Sequence, residues 1–179
     1  SGIPRGFVRV TDKKLAVTVV EGALAAALRQ PETGAAAWVA LGRMRAMAGD
    51  PPGALDAARK AVTFDPRNED AALLALELMS PGLPLAEPLV KGVIEKNPTQ
   101  DLRMGYARAL LDTSRTNDAL LQLQRLTEEQ PGFSPGWLTL GLLQLQENLL
   151  QPAEGSLKRF LESPPVHSPD KLQRARTEA

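Results

Sequence analysis

One spaced signature occurs twice in this chain and leaves few folds open to it. Trp38, Leu41, Gly42, Ala54, Ala61 and Pro66 form the first copy, and Trp137, Leu140, Gly141, Ala153, Phe160 and Pro165 form the second. The spacing is the same in both: 3 residues from Trp to Leu, 12 from Gly to Ala and 12 from Ala to Pro. The two tryptophans are 99 residues apart, which leaves room for two further units of about 33 residues between them. A fixed period of that size marks a stack of like units, none of which buries its apolar face alone. In such an array function resides on surfaces and grooves.

Composition narrows the function classes. Hydrophobic residues make up 43% of the 179, as in a globular or solenoid protein. Aromatics are only 4%, so the core must rest on Leu, Ala and Val. The 21 basic and 21 acidic residues cancel, with no long run of either sign. A nucleic-acid partner would call for a basic footprint and is not expected. There is no cysteine, hence no disulfide, and the redox compartment stays open. The single histidine, His167, lies in a Pro-rich stretch at Ser163–Pro169 and reads as a linker residue rather than a ligand or base. No apolar run approaches the ~20 residues of a membrane span, and no signal peptide is present, so direct membrane insertion is not expected. No cofactor is expected either. The chain opens with Ser1-Gly2 instead of Met and closes within a helical pattern at Asp170–Ala179. It reads as an excised fragment of a longer array, with a tag remnant at its start.

Four units can be laid out at residues 35–68, 69–99, 100–133 and 134–167. In the first, apolar residues recur at helical spacing around Trp38, Leu41 and Met44. Gly49-Asp50-Pro51-Pro52 then breaks the helix, and a second helix runs from Gly53 to about Phe64, ended by Asp65-Pro66. Gly in mid-helix costs about 1 kcal/mol against Ala. The recurrence of Gly42 as Gly141 therefore points to a close approach by a neighbouring helix. The third unit places Tyr106 and Ala107 where Leu41 and Gly42 stand, with Ala119, Leu123, Leu126 and Pro131 completing it. The fourth puts Leu157 and Phe160 on its buried stripe. The second unit is irregular: Ala86, Val90, Val93 and Pro98 keep the spacing, but Ser80-Pro81-Gly82-Leu83-Pro84 is a different turn. Neutral drift in a surface turn is the favoured reading there, over a turn that re-aims the array.

The N-terminal segment, residues 1–34, reads as a helix completing a partial repeat. Its Val-rich residues 7–20 could also form a strand–turn–strand hairpin. A lone hairpin is only marginally stable, however, and Asp12 suits a helix start. A helix from about Asp12 to Gln30, stopped at Pro31, is preferred. Residues 168–179 read as the start of a capping or further-repeat helix.

These residues and their register, over about 35–167, resemble the tetratricopeptide repeat (TPR) family. The resemblance implies an all-α fold, a right-handed α-solenoid of about four helix–turn–helix repeats with partial flanking helices. The Ala-rich, Arg-over-Lys composition is similar to TPR proteins of high-GC proteobacteria. By analogy with several of these, a bacterial envelope or periplasmic setting is favoured over the cytoplasm, with the compartment left open.

The resemblance also implies a concave groove lined by the first helix of each unit. Carried over residue by residue, the groove positions are Val39, Arg43 and Met47; Leu73 and Glu77; Met104, Arg108 and Leu111; and Leu138, Leu142 and Leu145. Leu and Met suit an apolar peptide or helix face. Arg43 and Arg108 suit bidentate pairing with carboxylates. Against this, Leu142 and Leu145 could pack against a following helix, and the arginines could be merely solvated. The Asn and Lys of family members that grip chaperone tails are absent, since those slots hold Val39 and Arg43, then Met104 and Arg108.

Three functions compete. An interaction scaffold binding a protein or peptide in the groove leads. A self-assembly module, with end helices stacking on another copy to give a homo-oligomer, is the alternative. Catalysis is not expected: Glu69-Asp70 and Glu128-Glu129 are adjacent and diverge on a helix surface. No phosphate loop, metal-ligand spacing or nucleophile–histidine pairing occurs.

Overall fold

A computed structural model of the chain describes residues 5–79 and 85–163, with side chains from Asp12 onward. Among these residues every regular element is helical and no strand occurs. The α-helices are α1 (Arg5–Leu24), α2 (Pro31–Met47), α3 (Pro51–Phe64), α4 (Glu69–Glu77) and α5 (Ala86–Lys96). They are followed by α6 (Gln100–Asp112), α7 (Thr116–Glu129), α8 (Ser134–Gln146) and α9 (Leu150–Glu162), with a 3-10 turn at Ala27–Arg29. The chain divides into two compact units, residues 1–109 and 110–179. The architecture is all-α, a helical repeat of the solenoid class.

Residues 7–20, open to two readings in the sequence, lie within the single helix α1. That helix begins at Arg5 instead of near Asp12 and ends at Leu24 instead of Gln30. Arg29 and Gln30 donate to Ala26 and Ala27 three residues back, which tightens the chain into the 3-10 turn. Gln30 is then extended (φ −90°, ψ 135°), as the clash with a following proline ring demands.

Starts and stops have local causes. Pro31, Pro51 and Pro135 sit in first turns, where the missing N–H is not needed. Asp50 and Asn68 cap α3 and α4, accepting from the Gly53 and Ala71 amides, each at 2.9 Å. Three helices end in one way. Gly49, Ser114 and Asn148 take left-handed φ of 81°, 60° and 58°. The next amide in each case (Asp50, Arg115, Leu149) reaches back to Arg45, Leu110 or Gln144 at 2.8–2.9 Å. This is the Schellman closure. The corresponding turn of the second unit, residues 80–84, lies outside the described residues, as do Pro165, His167 and residues 168–179.

In residues 1–109, α2 packs on α3 and on α4, and α4 on α5. Leu41 and Leu74 are buried among Ala54, Ala57, Ala58, Ala61, Ala71 and Ala75. The core is therefore built from Leu and Ala, and the helices can close tightly. A Cβ on Gly42 would stand 2.6 Å from Leu74 Cδ2 and 3.2 Å from both the Ala54 carbonyl oxygen and Ala57 Cβ. Arg45 ties α1 down, pairing with Glu21 and donating to the Gly53 carbonyl at 3.1 Å. In residues 110–179, α8 packs on α7 and on α9. A Cβ on Gly141 would meet Leu157 at 2.8 Å. Leu157 and Phe160 are half-buried, less than their stripe implied, because α9 packs mainly on α8 among the described helices.

Candidate functional site

The candidate site is built on the first helices of the pairs, and its residues meet different fates. In residues 1–109, Val39 is only 5% exposed and packs with Ala61 of α3 and Ala71 of α4. This corrects its assignment to a groove surface: α4 crosses the N-terminal part of the α2 stripe and covers it. One turn on, Arg43 is exposed and its Nη2 donates to Asp70 Oδ1 of α4 at 2.9 Å. One turn further, Met47 is 73% exposed. The α2 stripe thus passes from core to ion pair to open thioether within three turns.

On α4, Leu73 is half-buried and Glu77 exposed. On α6, Met104 is half-buried and Arg108 exposed, with no ion pair to a described residue. Thr99, just before α6, donates its hydroxyl to Glu69 of α4 at 2.6 Å, and Asn97 donates to the Arg67 carbonyl at 3.0 Å. A Cβ on Gly105 would lie 2.9 Å from Leu76 Cδ1. These contacts hold α6 beside α4. Arg43, Asp70, Leu73, Glu77, Met104 and Arg108 therefore lie on three successively packed helices.

In residues 110–179, Leu111 and Leu138 are half-buried, while Leu142 and Leu145 are 54% and 43% exposed. Those two leucines lie on a helix without a single charged residue.

Asp70 is the member of the site that sequence reasoning missed. It was weighed there only as half of a carboxylate pair with Glu69. The two do diverge: Glu69 accepts from Thr99, and Asp70 pairs with Arg43. The available signal was register, since an acid in the first turn of one first helix falls opposite a base in the middle of the preceding one. Among the described residues no group of three or more His, Cys, Asp or Glu is placed to hold a metal ion. No described helix is long and apolar enough to cross a membrane.

The tetratricopeptide repeat model matches residues 16–69, from the middle of α1 to the start of α4. No curated protein matches the chain. Among solved structures, MamA superposes with a TM-score of 0.60 at 19% identity, over 90% of this chain and 95% of its own. YrrB, described as a TPR protein with an unusual peptide-binding site, gives 0.54 at 20% identity, over 89% and 82%. The pilF protein of Pseudomonas aeruginosa gives 0.54 at 20% identity, over 74% and 62%. At these identities the likeness concerns the fold. Residues 16–69 are thus similar to a tetratricopeptide repeat, and the described residues share the all-α helical-repeat fold of these solved structures.

Proposed function

We propose that this chain is a protein-interaction module that binds a peptide or helix along the first-helix face of residues 1–109. The observation that carries the reading is the mixed stripe on three packed helices: Arg43 and Met47 on α2, Asp70, Leu73 and Glu77 on α4, Met104 and Arg108 on α6. Met and Leu offer adaptable apolar contact. Two guanidinium groups and two carboxylates offer directional bonds that fix the register of a partner. Arg43 is already satisfied by Asp70, so an acidic partner group there must compete for it, whereas Arg108 is open. The peptide-binding site of YrrB, on a similar fold, lends the reading support by analogy.

Capture of partners from a bacterial lysate tests it, comparing the wild-type chain with Arg43→Glu/Arg108→Glu. Loss of specific partners from the variant is expected. Recovery of the same partners by both would sink the role of the arginines. The alternative, self-assembly, would bury Leu142 and Leu145 against another copy; light scattering across a range of concentrations reads it directly.

A further inference from the structure

Helices α4 and α6 run side by side in the same direction, and their contacts fix how they are aligned. Asn97 and Thr99 bond to Arg67 and Glu69, each 30 residues back, and Gly105 faces Leu76, 29 residues back. Glu77 therefore stands level with residues 106–107. Arg108 lies only ~1.5–3 Å further along the axis, at a rise of ~1.5 Å per residue. The two side chains form one row of opposite charge across the helix pair. One turn toward the N-termini, the half-buried Leu73 and Met104 form a second, apolar row.

Neither charge in the first row is satisfied. Both side chains are exposed, and neither makes a hydrogen bond or ion pair with a described residue. For Glu77 this runs against local preference, because it ends α4, where the free carbonyls of a helix disfavour a carboxylate. No basic residue in that last turn offsets it. The nearest cation on the other side is diverted. Val39 and Gly42 meet Ala71 and Leu74, each 32 residues on, so Arg43 stands level with residue 75. Its guanidinium nevertheless reaches back toward the start of α4, to Asp70. An acid placed against a local rule and left without a partner marks a functional position better than a structural one.

Resting on the interaction reading above, we infer that the partner is an extended segment with one acid and one base three residues apart, the acid for Arg108 and the base for Glu77. Packed helices stand ~8–10 Å apart. A polyproline-type strand returns the same face to its support every three residues, ~9 Å on. A β-strand repeats its face every ~7 Å and an α-helix every ~5.4 Å, so neither matches the span in one repeat. An apolar residue between the two charges meets Leu73 and Met104. A segment with two acids would suit Arg108 but set a like charge against Glu77, and one with two bases would do the reverse.

Fluorescence anisotropy with four labelled nonapeptides tests this. They share a Pro-rich background with one central Leu and differ only at two positions three apart: acid then base, base then acid, two acids, or two bases. One of the two mixed peptides should bind the wild-type chain at least about tenfold more tightly than either like-charged one. Chain direction decides which mixed order fits, so Glu77→Lys/Arg108→Glu should exchange the ranking of the two. Glu77→Lys alone should move the preference to the two-acid peptide. Circular dichroism checks folding; if charge reversal disturbs it, Glu77→Gln/Arg108→Gln should bind all four peptides alike. Equal binding of the four by the wild type, a ranking untouched by the charge swap, or no binding of any peptide would overturn the inference. If partner capture still depends on the arginines in that event, the interaction face stands and only the mixed-charge partner falls. If capture fails as well, both fall.

Discussion

Leu74 occupies the space that a side chain on Gly42 would need. With the Ala54 carbonyl and Ala57 also within 3.2 Å of that point, the α2 backbone is pressed against α3 and α4 together. At Gly141 only Leu157 intrudes below 3.4 Å, with Cδ2 and Cγ both at 2.8 Å, and this half-buried side chain can shift to another rotamer. Gly42→Ala should therefore destabilise by about 1–3 kcal/mol through overpacking. Gly141→Ala should be close to neutral, because the ~1 kcal/mol helix-propensity gain offsets the displacement of Leu157. Urea denaturation of both variants decides this; equal midpoints would show that the close approach at Gly42 carries no particular cost.

The Arg43–Asp70 pair is exposed, at 52% and 65% of the side-chain surfaces. Such pairs contribute at most about 1 kcal/mol. Arg43→Ala, Asp70→Ala and the double variant should unfold within about 0.5 kcal/mol of one another. Partner capture should nevertheless fall with Arg43→Ala. A large stability coupling in the double-mutant cycle would make the pair structural and remove it from the site.

Ser114 and Asn148 hold left-handed conformations that Gly49 meets without a side chain. Replacing either with glycine should stabilise the chain by up to about 1 kcal/mol, more at Ser114 because Asn tolerates that region better. Gly49→Ala should lose about 1 kcal/mol. Thermal unfolding of the three variants is the check, and a destabilised Ser114→Gly would contradict the closure described here.

Gln144 and Ser156 form a buried hydrogen bond of 2.7 Å between α8 and α9. Ser156→Ala strands the Gln144 amide and should cost about 1–3 kcal/mol. The double change Gln144→Met/Ser156→Ala removes both polar groups and should regain most of that loss. If the double variant is as unstable as the single one, the cost lies in packing and not in the unmet amide.

The signature was legible because it encodes contacts inside one helical hairpin. Leu41, Ala54, Leu140 and Ala153 are all buried, and their spacing reflects how one helix crosses the next. The stripe on α2 was harder to read. Val39 and Arg43 share a helix face four residues apart, yet α4 covers one and leaves the other half open. That depends on where a neighbouring helix crosses, which no single-helix periodicity records. The bounds of α1 were missed for a related reason, since its end is set by the 3-10 turn before Pro31. The partner of Arg43 was overlooked because it sits 27 residues away, in the next pair.

Each compact unit contains one tryptophan, and each indole N–H is bonded to a carbonyl just upstream of its own helix: Trp38 to Leu28 at 3.2 Å, Trp137 to Pro131 at 2.8 Å. Trp38 also lies beneath the Lys60 ammonium, 4.4 Å from its ring centroid, whereas among the described residues no cation lies over Trp137. The chain therefore contains two native fluorophores in distinguishable surroundings, one per unit. Single Trp→Phe variants would make either half optically silent. Where contacts are made mainly between neighbours, melting can proceed from an end instead of all at once. Emission from Trp38 and Trp137 would then trace the unfolding of residues 1–109 and 110–179 separately.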